Sequence, residues 1–184
     1  NCGIAGAWSF TAPEPGPHLA LFALTHGNEI AGAIVLNQML SAGIRPQRGR
    51  LSFVFANLDA FQTFDPENPI ATRYLEEDLN RLWGEDRLRG ARNSREMRRV
   101  RELLPLVESV DVLVDLHSML WPSDPLTLAS ETDASISLGL ALGTPRLTVA
   151  DPGHSAGRRL VDHARFTAPG STAAAVLVEA GQHW

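Results

Sequence analysis

Two histidines and two glutamates carry the residue types and spacings from which a hydrolytic metal site can be built. His26 and Glu29 lie three apart, around Gly27-Asn28; His117 follows Asp115-Leu116; Glu179 follows Val176-Leu177-Val178. Zinc prefers imidazole and carboxylate ligands, and two His with one Glu leave a fourth coordination position open for chemistry. The three-residue spacing at a strand-to-helix turn lets His26 and Glu29 reach one ion, with Gly27 allowing a tight backbone path. Taken alone, His-x-x-Glu also describes a hydrogen-bonded histidine followed by a first-turn helix carboxylate favoured by the dipole. Glu179 reads either as an ordinary strand-end charge or as a general base that takes a proton from water and returns it to a leaving amine. Asp115 shares a strand side with His117 by the period of two, so it is a partner for that ring or simply a strand carboxylate.

A second cluster is Arg73-Tyr74-Leu75-Glu76-Glu77-Asp78-Leu79-Asn80-Arg81. An arginine beside a metal can polarise a carbonyl and hold an oxyanion. A neighbouring Asn and Arg can grip a substrate carboxylate, the guanidinium with two prongs. Glu76 and Glu77 read as solvated loop charges.

The elements that must position these groups follow from the apolar pattern. Leu19 to Leu24, Leu51 to Ala56, Val110 to Leu116 and Val176 to Val178 are short apolar runs bounded by turn signals, hence buried strands. Asn28 is placed to cap a helix from Glu29 to about Leu40, closed by Gly43. Ser94 to Val107 reads as an arginine-rich helix with Pro105 disturbing its end, and Asp133 to Leu142 as a further helix. Phe10 to His18, with Pro13, Pro15 and Pro17, reads as a loop or hairpin connection. Strands alternating with helices predict an α/β fold, a mixed and mostly parallel sheet flanked by helices on both faces. Chemistry in such folds gathers at the C-terminal ends of the strands. That rule brings together the turn 25–29, Asn57-Leu58-Asp59, His117 and Glu179.

Thr25-His26-Gly27-Asn28-Glu29, Arg73-Tyr74, Asp78-Leu79-Asn80-Arg81, Asp115-Leu116-His117 and Val178-Glu179-Ala180-Gly181-Gln182-His183 together resemble the succinylglutamate desuccinylase/aspartoacylase family, within the zinc carboxypeptidase superfamily. The resemblance implies a zinc carboxypeptidase-like fold with one Zn2+ per chain on His26, Glu29 and His117. It implies Glu179 as catalytic base and proton shuttle, Arg73 as carbonyl polariser, and Asn80 and Arg81 as binders of the substrate's free carboxylate. It implies hydrolysis of the amide of a small N-acyl amino acid. Two departures stand out. Asn57-Leu58 replaces the family's Asn-Pro after the second strand, and Arg158, Arg159 and Arg165 compete for the role of an acyl-side carboxylate binder. Residues 1–184 are expected to form a single catalytic domain without the family's small β-rich C-terminal domain, and so with a more open site.

Composition narrows the field further. The 184 residues carry a net charge of −5, with 44% hydrophobic and 20% charged residues, an ordinary globular balance that gives no reason to expect nucleic acid. All sixteen basic residues are arginine, which excludes a P-loop lysine and Schiff-base chemistry. The single cysteine, Cys2, excludes an intrachain disulfide and a cysteine-rich zinc site. No apolar run is long enough to span a membrane, no secretory leader is recognised, and a cytoplasmic location is expected. The arginines from Arg87 to Arg101 read as a solvated helix with internal ion pairs. Trp121 reads as a pocket wall, and His154, His163 and His183 as surface or outer groups. The sequence leaves the oligomeric state open. It also leaves two rivals: a zinc carboxypeptidase acting on peptides, and a non-catalytic zinc-stabilised binding domain.

Overall fold

The computed structural model describes residues 2–182; His183 lies outside them. In chain order the elements are β1 (Ala7–Thr11), β2 (Glu14–Ala23), α1 (Ile30–Ser41), β3 (Arg48–Phe55), α2 (Leu58–Phe61), α3 (Glu85–Arg89), α4 (Arg95–Glu108) and β4 (Val112–Met119). There follow β5 (Leu126–Ser130), α5 (Asp133–Leu142), β6 (Thr148–Asp151), α6 (Ala164–Thr167) and β7 (Ala174–Gln182), with single 3-10 turns at Pro69–Thr72, Leu79–Arg81 and Leu160–Asp162. The described residues form a seven-stranded sheet of order β1-β3-β2-β4-β7-β5-β6. β3, β2, β4 and β7 are mutually parallel, β5 pairs with β6 in parallel, and β1–β3 and β5–β7 are antiparallel. This is the mixed, mostly parallel α/β sheet expected.

Period-two alternation sorts each central strand between two cores. Ala20 and Phe22 of β2, Leu113 of β4, and Ala175 and Leu177 of β7 pack with Met97, Val100, Leu103 and Val107 of α4. On the other face, Ala23, Leu51 and Phe53 pack with Leu36 of α1, and Val114 and Val176 meet Ile136 and Leu138 of α5. The four central strands are therefore covered on both faces, which is why they read as continuous apolar runs. No helix among the described residues is long and apolar enough to cross a membrane.

Four local expectations need correction. Phe10 to His18 is mostly strand: Pro15 and Pro17 lie inside β2. They sit where β2 has only β3 beside it and the register is irregular, since pairing with β4 starts at Leu19; an edge or bulge tolerates the missing N–H. Asn28 does not cap α1; Glu29 holds that position without a side-chain cap bond, and Asn28 is fully buried. Glu179 is not a strand end, because β7 runs on to Gln182. The arginines of α4 do more than pair along the helix. Arg99 donates to the Ala56, Phe55 and Ala5 carbonyls, and Arg101 to those of Leu88 and Gly90. Ser94 caps α4 by accepting from the Met97 N–H, and Pro105 lies within the helix.

At the N-terminal edge of the sheet, His18 is buried with Nε2 2.7 Å from Ser52 Oγ and Nδ1 3.1 Å from the Ser109 carbonyl. Burial, followed by the Arg50 charge, holds its pKa below the ordinary 6.5, against the opposing pull of the Ser109 carbonyl and Asp111. Below about pH 6.5 the unfolded chain takes up a proton here that the folded chain resists, so stability falls as pH drops through that range. His163, lowered chiefly by burial, adds in the same sense. Urea titrations of His18→Gln between about pH 6.5 and 5 are expected to show a shallower loss of stability than wild type; equal slopes would remove His18 as a source.

Candidate functional site

The turn leaving β2 begins the site. Leu24 is buried at φ 57°, a left-handed conformation for a non-glycine residue, of the kind retained where surrounding structure over-determines the backbone. It swings the chain into Thr25 and His26. Gly27 then passes so close to the next loop that a Cβ would lie 2.6 Å from both the Ala60 carbonyl carbon and the Thr72 oxygen. Its N–H donates to the Arg73 carbonyl at 2.9 Å. Asn57, where the family's Asn-Pro was missing, caps α2 by accepting from the Ala60 N–H, so that turn supports the floor under Gly27.

His26, Glu29 and His117 are all buried, and one ligand atom from each lies within 4.8 Å of the other two. Glu29 is the hub. Its Oε1 is 2.8 Å from His26 Nδ1 and accepts from Arg73 Nη1 at 2.7 Å. Its Oε2 is 2.8 Å from His117 Nδ1 and accepts from the Ser118 N–H at 3.2 Å. Burial pushes the Glu29 carboxyl up, but the two imidazoles outweigh it and hold the group well below the usual carboxylate range. Burial likewise opposes the His117 imidazolium, and the Asp115 and Glu29 charges overcome it, so its pKa stands well above the ordinary value.

Each imidazole turns Nδ1 to Glu29 and Nε2 to an aspartate. His117 Nε2 lies 2.7 Å from Asp115 Oδ2, and Asp115 Oδ1 accepts from Thr25 Oγ1 at 2.9 Å. His26 Nε2 lies 3.0 Å from Asp78 Oδ1. Burial raises the Asp78 carboxyl, but the hydrogen bond and charge of His26, then Arg81 and Arg73, bring it far below the usual range. A carboxylate behind each ring is how metal-binding histidines are commonly oriented, the far nitrogen fixing which nearer one is free to ligate. The donor set therefore fits a divalent ion: two Nδ1 atoms and a carboxylate converge, and His26, Glu29 and His117 would be the residues to hold it.

Glu179 joins from the next strand. The β4–β7 ladder sets it directly across from His117, on the same strand side as Leu177. Its Oε2 is buried without a hydrogen-bond partner. Burial raises its pKa, with His117 pulling down and Glu29 pushing up.

The second cluster meets the first at Asp78 and Arg73. Arg73 Nη2 lies 3.0 Å from His26 Nε2, in addition to its bond with Glu29. Asn80 is buried; its N–H donates to Asp78 Oδ1 and its Oδ1 accepts from the Leu160 N–H. Arg81 donates to the Asn80 carbonyl at 2.7 Å and lies 3.8 Å from Asp78. Glu77, read as a solvated charge, instead binds Ser94 Oγ and Arg92.

Other sequence candidates sort clearly. Arg159 is enclosed by Asp151 and Asp162. Arg165 is bound to Asp111 and the Val110 carbonyl at the far end of β4. Arg158 is exposed. Trp121 is 72% exposed. His154 is at the surface, whereas His163 is buried edge-on to Trp83 and caps α6. The sequence reading missed two supports. Asp78 stood in plain view within Asp-Leu-Asn-Arg, but nothing local ties it to His26, 52 positions away. Glu96 is a buried helix carboxylate accepting from the Leu75 and Glu76 N–H groups. Its only sequence signal was an acidic residue in an arginine-rich helix.

Fold and site together define an α/β domain with a buried His-Glu-His cluster over the C-terminal ends of parallel strands. The model of the succinylglutamate desuccinylase/aspartoacylase catalytic domain matches residues 15–183, and the chain belongs to this family of deacylases. Aspartoacylase of Rattus norvegicus is 30% identical over 119 residues, covering 60% of this chain and 36% of that protein. Succinylglutamate desuccinylase of Chromobacterium violaceum shares the fold with a TM-score of 0.72 at 21% identity, covering 96% of this chain and 57% of that one. Murine aminoacylase 3 follows at 0.60 and 24%, covering 94% and 58%. The chain thus spans about a third of the length of the curated relatives it matches and little more than half of these structures.

If Asp78 and Asp115 orient ligands, Asp78→Asn and Asp115→Asn should each weaken zinc affinity by roughly 10–100-fold, read by competition with a fluorescent chelator. His117→Ala should lose stoichiometric zinc altogether. Wild-type affinity in both asparagine variants would leave the carboxylates without that role.

Proposed function

We propose that this chain forms the catalytic part of a zinc-dependent amidohydrolase that cleaves a small N-acyl amino acid into a carboxylic acid and the free amino acid. The observation that carries the reading is Glu179: a half-buried carboxylate with raised pKa and an unpartnered oxygen, set across a strand ladder from His117. A structural metal site has no need of such a group, whereas a hydrolytic one requires a base of this kind. The deacylase names of the relatives support the same class of substrate.

His26, Glu29 and His117 would hold the ion. When bound, zinc supplies a Lewis acid that polarises a carbonyl and makes water a stronger nucleophile. The chain's own residues then divide the remaining work. Glu179 takes a proton from the attacking water. Its raised pKa lets it hold that proton and pass it to the departing nitrogen, a step a strongly acidic carboxyl performs poorly. Arg73, a quarter exposed beside Glu29, donates to the substrate carbonyl oxygen as negative charge develops there. Arg81 and the amide NH2 of Asn80 receive the free carboxylate. The Asn80 oxygen is already engaged by Leu160, so the NH2 end is the one presented. Arg81 is half-buried; burial depresses its pKa first, and Arg73 and Arg159 add to that while Asp78 opposes it. An anionic group arriving at this cluster relieves the crowding of positive charge.

The test is release of free amine from N-acetyl-L-aspartate, N-succinyl-L-glutamate and further N-acyl amino acids by the zinc-loaded chain. Turnover of none of them would overturn the reading. Glu179→Gln should keep its zinc by elemental analysis and lose roughly 10²–10⁴-fold in kcat; near-normal kcat would move the base elsewhere.

A further inference from the structure

Arg159 is the most heavily paired cation in the described chain, and the proposed reaction does not use it. It is 5% exposed. Nε donates to Asp162 Oδ2 at 2.7 Å and Nη2 to Asp162 Oδ1 at 2.9 Å. Nη1 and Nη2 reach the two oxygens of Asp151 at 3.1 and 2.5 Å. The guanidinium is thus gripped by two carboxylates in two-pronged fashion, one from the end of β6 and one from the Leu160–Asp162 turn. Its own N–H closes the turn on Asp162 Oδ2.

What that turn carries is the segment bearing Asn80 and Arg81. The Leu160 N–H donates to Asn80 Oδ1 at 2.9 Å. Leu82 bridges Arg158 in parallel, and the Trp83 N–H donates to the Arg158 carbonyl at 3.2 Å. Gly157, at φ 149°, lies so close that a Cβ would sit 2.3 Å from the Arg81 oxygen. Residues 157–160 therefore form a strap over 80–83, and these contacts fall on or within two residues of the pair assigned to the substrate carboxylate. The strap has no strand of its own beyond this single bridge. Leu160, fully buried in the main core with Leu113 and Leu177, seats the end of the strap against the sheet, and Arg159 ties the strap to the end of β6 through Asp151.

We propose that Arg159 is a positioning residue for substrate binding: held between Asp151 and Asp162, it sets the strap that orients Asn80 and Arg81. The inference rests on the reading of Asn80 and Arg81 as the carboxylate clamp. A lysine at 159 keeps the charge but cannot fork onto two carboxylates. Asp151→Asn weakens one grip at the more exposed partner and leaves the buried Arg159–Asp162 pair intact. Gly157→Ala leaves the ion triad whole and displaces the Arg81 backbone directly.

Arg159→Lys, Asp151→Asn and Gly157→Ala are therefore compared in the zinc-loaded full chain. Each is expected to raise KM for N-acetyl-L-aspartate by about tenfold or more, with kcat within about twofold and zinc content unchanged. Hydrogen exchange should quicken in 79–83 and 157–162 and stay as in wild type in β2 and α4. A general loss of stability would instead lower kcat and speed exchange throughout, which overturns the positioning role. So would unchanged KM in variants where Arg81→Ala does raise it. Should wild type neither turn over nor bind N-acetyl-L-aspartate by calorimetry, the deacylase reading fails by itself. The exchange pattern then decides the strap: local quickening upholds Arg159 as its anchor, and wild-type exchange refutes it.

Discussion

A carboxylate buried as deeply as Glu29 is costly unless its oxygens are answered, and the chain answers both of them with four groups from three parts of the fold. His26 comes from its own turn, Arg73 from the loop before the second cluster, and the His117 ring and Ser118 N–H from β4. Removing one partner of a buried charge leaves the other uncompensated, at a cost of about 3–5 kcal/mol. The central strands must therefore lie in one register. β2 and β4 are neighbours, so the turn after Ala23 and the side chain of His117 arrive together. The left-handed Leu24 and the close pass of Gly27, which leaves no room for a Cβ, lie in the turn that makes this meeting.

The same logic propagates outward in alternating charge. Behind the two imidazoles stand Asp78 and Asp115; near Asp78 stand Arg81 and Arg73. Glu96 steadies the backbone just before Asp78 from the side of α4, reaching Leu75 and Glu76. The helix that fills the main core thus also holds the loop that completes the site. Core packing and site geometry are coupled there, because α4 cannot shift against Phe22 and Leu113 without moving Glu96.

The parts of this arrangement that the sequence disclosed are those that burial writes locally. The four central strands are apolar on both faces and announce themselves as runs; His26 and Glu29 follow one such run, and His117 and Glu179 each come directly after another, although β4 and β7 continue past them. β1, β5 and β6 are short, lie toward the sheet edges and are partly exposed, with burial patterns that break any run. Pro15 and Pro17 look like loop until one knows that β2 there has a strand on one side only. Asn28 has the composition of a cap, yet Glu29 takes the position because its carboxylate is drawn to the two histidines rather than the helix. Asp78 and Glu96 escaped because a charged residue in a loop or an exposed-looking helix gives no local sign of a distant partner.

The arginines show how one residue type is assigned different tasks by its neighbours. Arg159 meets two carboxylates and contributes little net positive charge to its surroundings. Arg165 is bound far from the cluster. Arg73 shares Glu29 with two imidazoles, and Arg81 pairs with Asp78 at 3.8 Å, a carboxylate itself shared with His26. Arg73 and Arg81 thus keep their guanidinium groups beside the cluster, 24% and 20% exposed, in a chain whose net charge is −5. On the proposed reading, a ligand carrying a carboxylate would meet these two guanidinium groups despite the overall sign of the molecule, since nearby charges outweigh distant, screened ones.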